Sequence, residues 1–325
     1  MANTAFAPNN AVTKSAVDTA GFVPEVWSDE IIAAYKKNLV AANLIKKMNF
    51  KGKKGDKVYF PAPTRGSASA KTATDAVTLI AAGGTALSVN IDKHFEYSRL
   101  IEDLAEVQAM SSLRRFYTDD AGYALATQTD TDIIRLGRLS QGGTWNGTDA
   151  TFAYANGYIG GDGATAFDAT ANTNTGNETA LTDEGIRRAI QRLDDSDVPM
   201  DGRFLIVPPV ARNTLMGLAR FTEQAFTGES GNGNTIRNGQ IGDIYGVKVY
   251  VSTNADTATT SGTGDVNPRV CLMAHPEFGV LVEQLGIRVQ TQYKQEYLAT
   301  LLTADTLYGA GELRDTSAVA LVIPG

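Results

Sequence analysis

Any chemistry in this chain has to come from very few groups. There are two histidines, His94 and His275, and one cysteine, Cys271, so a histidine-based triad must use one of the two. Cys271 and His275 stand four apart, a spacing that brings two ligands to one side of a helix. Their surroundings, Val-Cys-Leu-Met-Ala, read instead as a strand, along which four residues span ~13 Å, and Pro276 follows. Cys271 is therefore expected in the core rather than on a metal. His94, next to Lys93, is expected in a solvated loop. The run Asp194-Asp195-Ser196-Asp197 offers carboxylates to a divalent cation, but it closes a helical pattern and reads as a solvated helix end. The glycine-rich GESGNGNTIRNG lacks the lysine of a phosphate-binding loop and has no strand leading into it. The sequons at Asn146 and Asn177 would matter only in a secreted chain. The expectation is a non-enzyme with no catalytic, cofactor-binding or metal site.

The charged residues are more informative because they segregate. Lys51, Lys53, Lys54 and Lys57, followed by Arg65 and Lys71, form a basic stretch. Asp119, Asp120, Asp130 and Asp132 form an acidic one. A nucleic-acid reading of the basic stretch is weak: only Tyr59 and Phe60 interleave with it, and a net charge of −7 over 325 residues opposes general binding to nucleic acid or anionic membrane. One reading is attraction between subunits, with Lys53, Lys54, Lys57 and Arg65 of one copy lying across the four aspartates of another. Trp27, Tyr59 and Phe60 would then supply the apolar contact. The other reading is two unrelated solvated faces.

Composition sets the frame for the elements that must position these groups. At 43% hydrophobic the chain can bury a core in one or two domains. A single cysteine excludes an intramolecular disulfide framework and fits a reducing compartment. The N-terminal residues lack the basic and apolar regions of a signal peptide. No apolar run approaches the ~18 residues of a membrane-spanning helix.

The longest helical pattern is 98–140. It is proline-free, with Ser98 as N-cap, Glu102 and Asp103 in the first turns, Arg135 and Arg138 in the last, and Gly142-Gly143 as the stop. Leu100, Leu104, Val107, Met110, Leu113, Tyr117, Ala121 and Leu125 recur as an apolar stripe. About 43 residues make a rod of ~64 Å, against a diameter of ~50 Å for a compact chain of this length. Either the helix breaks, near Gly122 or in the polar run 127–132, or the molecule is elongated, which is the preferred reading. An elongated subunit leaves apolar surface for neighbours to cover.

Residues 1–21 are small and polar and are expected to form an arm that orders only against a partner. Pro24 opens a helix bearing Trp27, Ile31, Tyr35 and Leu39 on one face. Val58-Tyr59-Phe60, ended by Pro61 and Pro63, and the alternating 86–92 read as two strands of a long hairpin arm. A two-stranded hairpin is marginal alone and needs a surface to lie on. Residues 141–180 read as irregular strands and turns. A helix capped by Thr182 or Asp183, a buried strand 203–209, a helix 211–220, a flexible loop 227–239 and a strand 246–251 alternate as an α/β module. Strand-rich sequence follows from Val270 and closes on the apolar 318–323.

In this order the parts resemble the major capsid proteins of tailed bacteriophages, with the HK97-type fold. The resemblance is carried by Phe22-Val23-Pro24-Glu25-Val26-Trp27-Ser28 before a helix, and by Gly55-Asp56-Lys57-Val58-Tyr59-Phe60-Pro61 entering the arm. Gly242-Asp243-Ile244-Tyr245-Gly246-Val247-Lys248-Val249-Tyr250, and Tyr308-Gly309-Ala310-Gly311 before the closing strand, complete it. It implies an α+β chain with an N-terminal arm and first helix (1–49), an extended β-hairpin (50–96), and a spine helix with part of a peripheral domain (97–180). An axial α/β domain (181–269) and C-terminal strands returning to the peripheral domain (270–325) would follow. It also implies hexamers and pentamers in an icosahedral shell around double-stranded DNA, a portal at one vertex, and a scaffolding partner that is a separate protein. Assembly in the host cytoplasm, residence in the virion and no membrane association go with this. No residue here carries a basis for the covalent crosslinking some members perform. Two other readings stand beside it: an encapsulin-type compartment of the same fold, and a surface-array or carbohydrate-binding protein built on the Gly/Asn/Thr-rich middle.

Overall fold

The computed structural model of the chain describes residues 11–12, 40–52, 54–63, 66–71, 73, 76, 79, 83–104, 113–142, 158–165, 167, 178–218, 243–257 and 268–325. The helix expected after Pro24, the loop 227–239, most of the arm 1–21 and much of 141–180 lie outside them.

Three apolar runs build the first core. β7 (Phe204–Val207), β10 (Arg269–Ala274) and β13 (Ala318–Ile323) are buried almost throughout. They are inner strands of a six-stranded sheet completed by β6 (Tyr158–Gly160), β8 (Asp243–Ile244) and β9 (Val247–Val251), in the order β6-β13-β10-β7-β9-β8. Strand side chains alternate between faces, so each run feeds two cores. Leu205, Val207, Cys271, Met273, Val319 and Leu321 pack on one side, against Ile186, Ala189 and Leu193 of α3 (Asp183–Asp195) and Ala211 and Leu215 of α4 (Pro209–Gly217). Phe204, Ile206, Leu272, Ala274 and Ala318 pack on the other, against Ile133, Ile134 and Leu136. α3 begins where expected: the Thr182 hydroxyl accepts from Gly185 N at 3.0 Å, with Asp183 and Glu184 in the first turn. Tyr245 and Gly246, both at positive φ, make the two-residue turn between β8 and β9.

The division expected at residue 270 is corrected by this sheet. β10 and β13, from the C-terminal segment, lie beside β7 and β9 of the α/β module. Only β11 (Gly279–Lys294) and β12 (Ala299–Glu312) join the second sheet, ordered β1-β5-β12-β11-β2 with β1 (Ala11–Val12), β2 (Lys46–Asn49) and β5 (Lys93–Glu102).

β5 also corrects the long helix. Residues 93–102 pair antiparallel with β12 along their whole length, from Lys93↔Tyr308 to Glu102↔Ala299. The alternation of Phe95 and Tyr97, which face α2 (Leu113–Arg135), was a strand signal directly ahead of the helical composition that starts at Ser98. Pairing with a long central strand outweighed a weak helix preference. α2 therefore has 23 residues, ~35 Å, about half the ~64 Å rod expected. Among the described residues the helix runs unbroken from Leu113 past Gly122 and 127–132 to Arg135, and short 3₁₀ turns continue from Leu136 to Gly142. α2 packs Ala121 and Leu125 on the five-stranded sheet and Ile133 and Ile134 on the six-stranded one, tying the two together.

The expected hairpin is present as β3 (Lys57–Pro63) and β4 (Gly84–Asn90), paired from Lys57↔Asn90 to Pro63↔Gly84. β3 runs through Pro61 and ends at Pro63, beyond the expected Val58-Tyr59-Phe60. A two-stranded sheet tolerates this because each strand needs hydrogen bonds on one side only. Val58, Phe60 and Val89 pack with Ile91, Val280 and Val282, rooting the hairpin on the five-stranded sheet. β4 crosses β12 where the latter carries Gly309 and Gly311. A Cβ at Gly309 would collide with the Asn90 carbonyl, and one at Gly311 would lie 2.6 Å from Val89 Cγ2. Gly311→Val should therefore lower unfolding free energy by ~1–3 kcal/mol through overpacking, measured by urea denaturation. An unchanged midpoint would mean that β4 is not held against β12.

Candidate subunit interface

The hairpin separates two kinds of side chain. Phe60, expected at an inter-subunit contact, is half-buried and packs in its own subunit beside Val89 and Val280. Tyr59 points the opposite way and is 65% exposed. Lys54 and Lys57 are exposed beside it. Lys53, Arg65 and Trp27 lie outside the described residues.

The acidic group divides as well. Asp119 is exposed; Asp120 is half-buried and accepts a hydrogen bond from Tyr97 OH at 2.9 Å. Asp130 and Asp132, expected on the same outer face, are buried inside the subunit. Asp130 accepts from the backbone N–H of Ala41, which opens α1 (Ala41–Leu44), at 2.7 Å and from Asn254 Nδ2 at 3.1 Å. Asp132 accepts from Tyr308 OH at 2.8 Å and pairs with Lys93 Nζ at 2.9 Å. The physical reason is position: the apolar Ile133, Ile134 and Leu136 carry this end of α2 into the core, and a buried carboxylate must find partners there. That apolar run, directly after the acids, was the available signal.

Two buried arginines escaped the reading of the sequence. Arg138 donates from Nε and Nη2 to Asp256 at 2.6 and 2.8 Å, with both residues buried. Arg203 donates to the carbonyls of Val198 and Pro199 and pairs with Asp194 at 2.7 Å. Asp194, weighed above as a cation ligand, thus holds a strand to a helix end. Among the described residues no three of His, Cys, Asp and Glu are grouped to hold a metal. His94 lies on β5 rather than in a loop, mostly exposed, with Nε2 3.4 Å from Asp305. Arg288 grips that carboxylate at 2.7 and 2.8 Å and, with His94, holds Asp305 below the usual carboxylate range. Cys271 is fully buried on β10, and burial pushes its thiol far up, as a core cysteine requires.

Glu312 ends β12 with its Oε1 buried and without a hydrogen-bond partner. Burial, and secondarily the charge of Asp315, raise its carboxyl from 4.5 to about 7. The folded chain then holds a proton that the unfolded chain releases, so stability falls as pH rises between 4.5 and about 7. Glu312→Gln should flatten that part of the profile and raise the thermal midpoint at pH 8; an unchanged slope would place the titration elsewhere. Arg138→Ala should cost ~3–5 kcal/mol by leaving Asp256 buried and uncompensated, whereas Arg138→Met with Asp256→Leu should lie close to the native stability. Chemical denaturation distinguishes the two, and equal losses would refute this account of the pair.

The model of the family described as "Phage capsid protein" matches residues 107–321. None of the curated proteins matches the chain. Among solved structures, that of Mycobacterium phage Che8 is similar at a TM-score of 0.69 with 24% identity, over 92% of this chain and 97% of that one. The capsid of cyanophage P-SCSP1u aligns at 0.68 and 18% identity, over 93% of each chain. The capsid of Ralstonia phage GP4 aligns at 0.65 and 16%, over 93% and 95%. The α+β arrangement described above is therefore the HK97-type capsid fold.

Proposed function

Since this chain belongs to the phage capsid protein family and is a structural subunit of a homo-oligomeric virion shell, we propose that its copies form the hexamers and pentamers of an icosahedral capsid around double-stranded DNA. In this reading assembly takes place in the host cytoplasm with a separate scaffolding partner, and a portal occupies one vertex. The DNA is enclosed without sequence-specific contacts, since a chain of net charge −7 offers no general basic lining.

The observation that carries the proposal is the hairpin's outer face. Val58, Phe60 and Val89 of its inner face root the arm, while Tyr59 stands 65% exposed between Lys57 and Pro61. Covering such a ring contributes through ~25 cal/mol per Å² of apolar area removed from water. The charges play a lesser part. Lys54 and Lys57 are matched to Asp119 and Asp120 of an adjacent copy, and each exposed pair contributes ~0–1 kcal/mol and is screened by salt. Repeated around a shell, they bias register and rate.

Tyr59→Ala should abolish particle formation, followed by light scattering and electron microscopy. Lys54→Glu should only slow it and steepen its salt dependence, and adding Asp119→Lys should recover part of the rate. Wild-type protein that stays a folded monomer at micromolar concentration, with scaffold present, would refute the assembly reading.

A further inference from the structure

The chain passes between its two sheets twice near one spot, and the two passages are hydrogen-bonded to each other. The first, 275–278, leads from β10 to β11; the second, 313–317, leads from β12 to β13. Leu313 N and Arg314 N both donate to the Phe278 carbonyl, at 2.8 and 3.3 Å, and His275 N donates to the Ser317 carbonyl at 3.0 Å. Gln141, near the end of the 3₁₀ turns after α2, donates from Nε2 to the carbonyls of Thr316 and Ala318 at 3.2 and 3.3 Å. The first passage is anchored, because Phe278 is buried and meets the Phe204 ring edge-on. The second has Arg314, Asp315 and Thr316 exposed. With polar contacts on one side and water on the other, it belongs to the part of a fold that opens at least cost.

Glu312 stands at the head of this second passage, opposite Gly279 of β11. Its Oε1 is buried and accepts no hydrogen bond. A carboxylate there lacks both water and a donor, which disfavours the charged form. His275 and Glu277 lie on the first passage, Arg314 and Asp315 on the second; of these, Asp315 is the charge that acts on Glu312, and it repels. We propose that Glu312 is a proton-held latch: protonated, it lets 313–317 lie closed on Phe278 and Gln141, and ionised, it opens that passage to water while the strands on either side stay paired. The sheets keep their places, because the buried ions of α2 hold them elsewhere in the subunit. Closing binds a proton and opening releases it, since the carboxyl stands at about 7 in the folded chain against 4.5 in water. Opening therefore grows as pH rises from 4.5 and levels off above about 7. It is local, and so distinct from the loss of global stability over the same range.

Amide hydrogen exchange of the full chain from pH 5 to 8, corrected for the base-catalysed rise of exchange itself, reads the latch at Leu313, Arg314 and Ser317. Their opening should increase on the order of 10²-fold, because each step of one between the two carboxyl values is tenfold. It should be insensitive to low urea, since a small opening exposes little surface, whereas the amides of β10 should be slower and accelerate with urea. Glu312→Gln should hold the passage closed at every pH. Asp315→Asn should make the rise smaller and end it at a lower pH, because one of its two causes is gone. Histidine is the side chain that ordinarily changes charge in this window. His275→Asn, which keeps an acceptor for Glu277 N, should nevertheless leave the rise intact; its loss there would assign the switch to the histidine instead. A flat wild-type profile, or a rise that survives Glu312→Gln, would overturn the proposal. So would latch amides that follow those of β10 in rate and urea dependence, because the passage would then open only with the whole chain. Should Glu312→Gln not fold, Asp315→Asn decides: a rise identical to that of the wild type excludes the latch.

Discussion

The relation between the two sheets rests on three charged side chains within nine residues of one helix end. Asp130, Asp132 and Arg138 each leave the C-terminal end of α2 and its 3₁₀ continuation toward a different segment. Asp130 holds the first turn of α1 and Asn254, Asp132 holds Lys93 and Tyr308, and Arg138 holds Asp256. Apolar burial alone would let α2 slide over Ile206 and Leu272 at little cost, because such contact is non-directional. Buried charges cannot slide, since each displaced partner leaves an uncompensated group in the core. The helix is thereby locked in register against the strands of both sheets, and every surface it presents outward inherits that register.

One of those surfaces is a groove between α2 and the five-stranded sheet, lined among others by Ala126, Thr129, Leu281, Ile287 and Thr306. Its wall residue Thr129 stands one helical turn from Leu125, which packs on Ala304 and Phe95. The same helix thus fixes the core and shapes the groove beside it. The glycines of β12 play the complementary part for the arm. By letting β4 lie against the sheet at Gly309 and Gly311, they set the direction in which Tyr59 leaves the subunit. A two-stranded hairpin is marginal by itself, and here its base borrows a core from β11 and β12 while Tyr59 on its outer face stays exposed.

Legibility in the sequence followed the kind of interaction. The runs at 204–207, 270–274 and 318–323 were readable because burial on both faces of a sheet demands uninterrupted apolar residues. The cap at Thr182 was readable because capping is local. The paired strands 57–63 and 84–90 were readable from alternation. What was not readable depended on distant partners. Residues 98–102 carry a helix-like composition, and only pairing with β12, some two hundred residues away, makes them strand. Asp130 and Asp132 look solvated until Ala41, Lys93 and Tyr308 are placed beside them. Of the interface residues, the outward direction of Tyr59 and the inward direction of Phe60 followed from strand alternation once the hairpin was known, but no local pattern told which face was inside.

The groove was invisible for a further reason: it has no motif. Ala126, Thr129, Ile287 and Thr306 are unremarkable one at a time, and they meet only because β11 bulges beside a helix whose near face is small. Such a surface is set by packing geometry rather than by reactive groups, so no local pattern announces it. A shell subunit needs many weak contacts held in strict register, and register is what the buried ions of α2 supply. The chain places its costly polar groups inside, where Asp130, Asp132 and Arg138 fix geometry, and leaves Tyr59 and Lys57 exposed on the outer face of the hairpin.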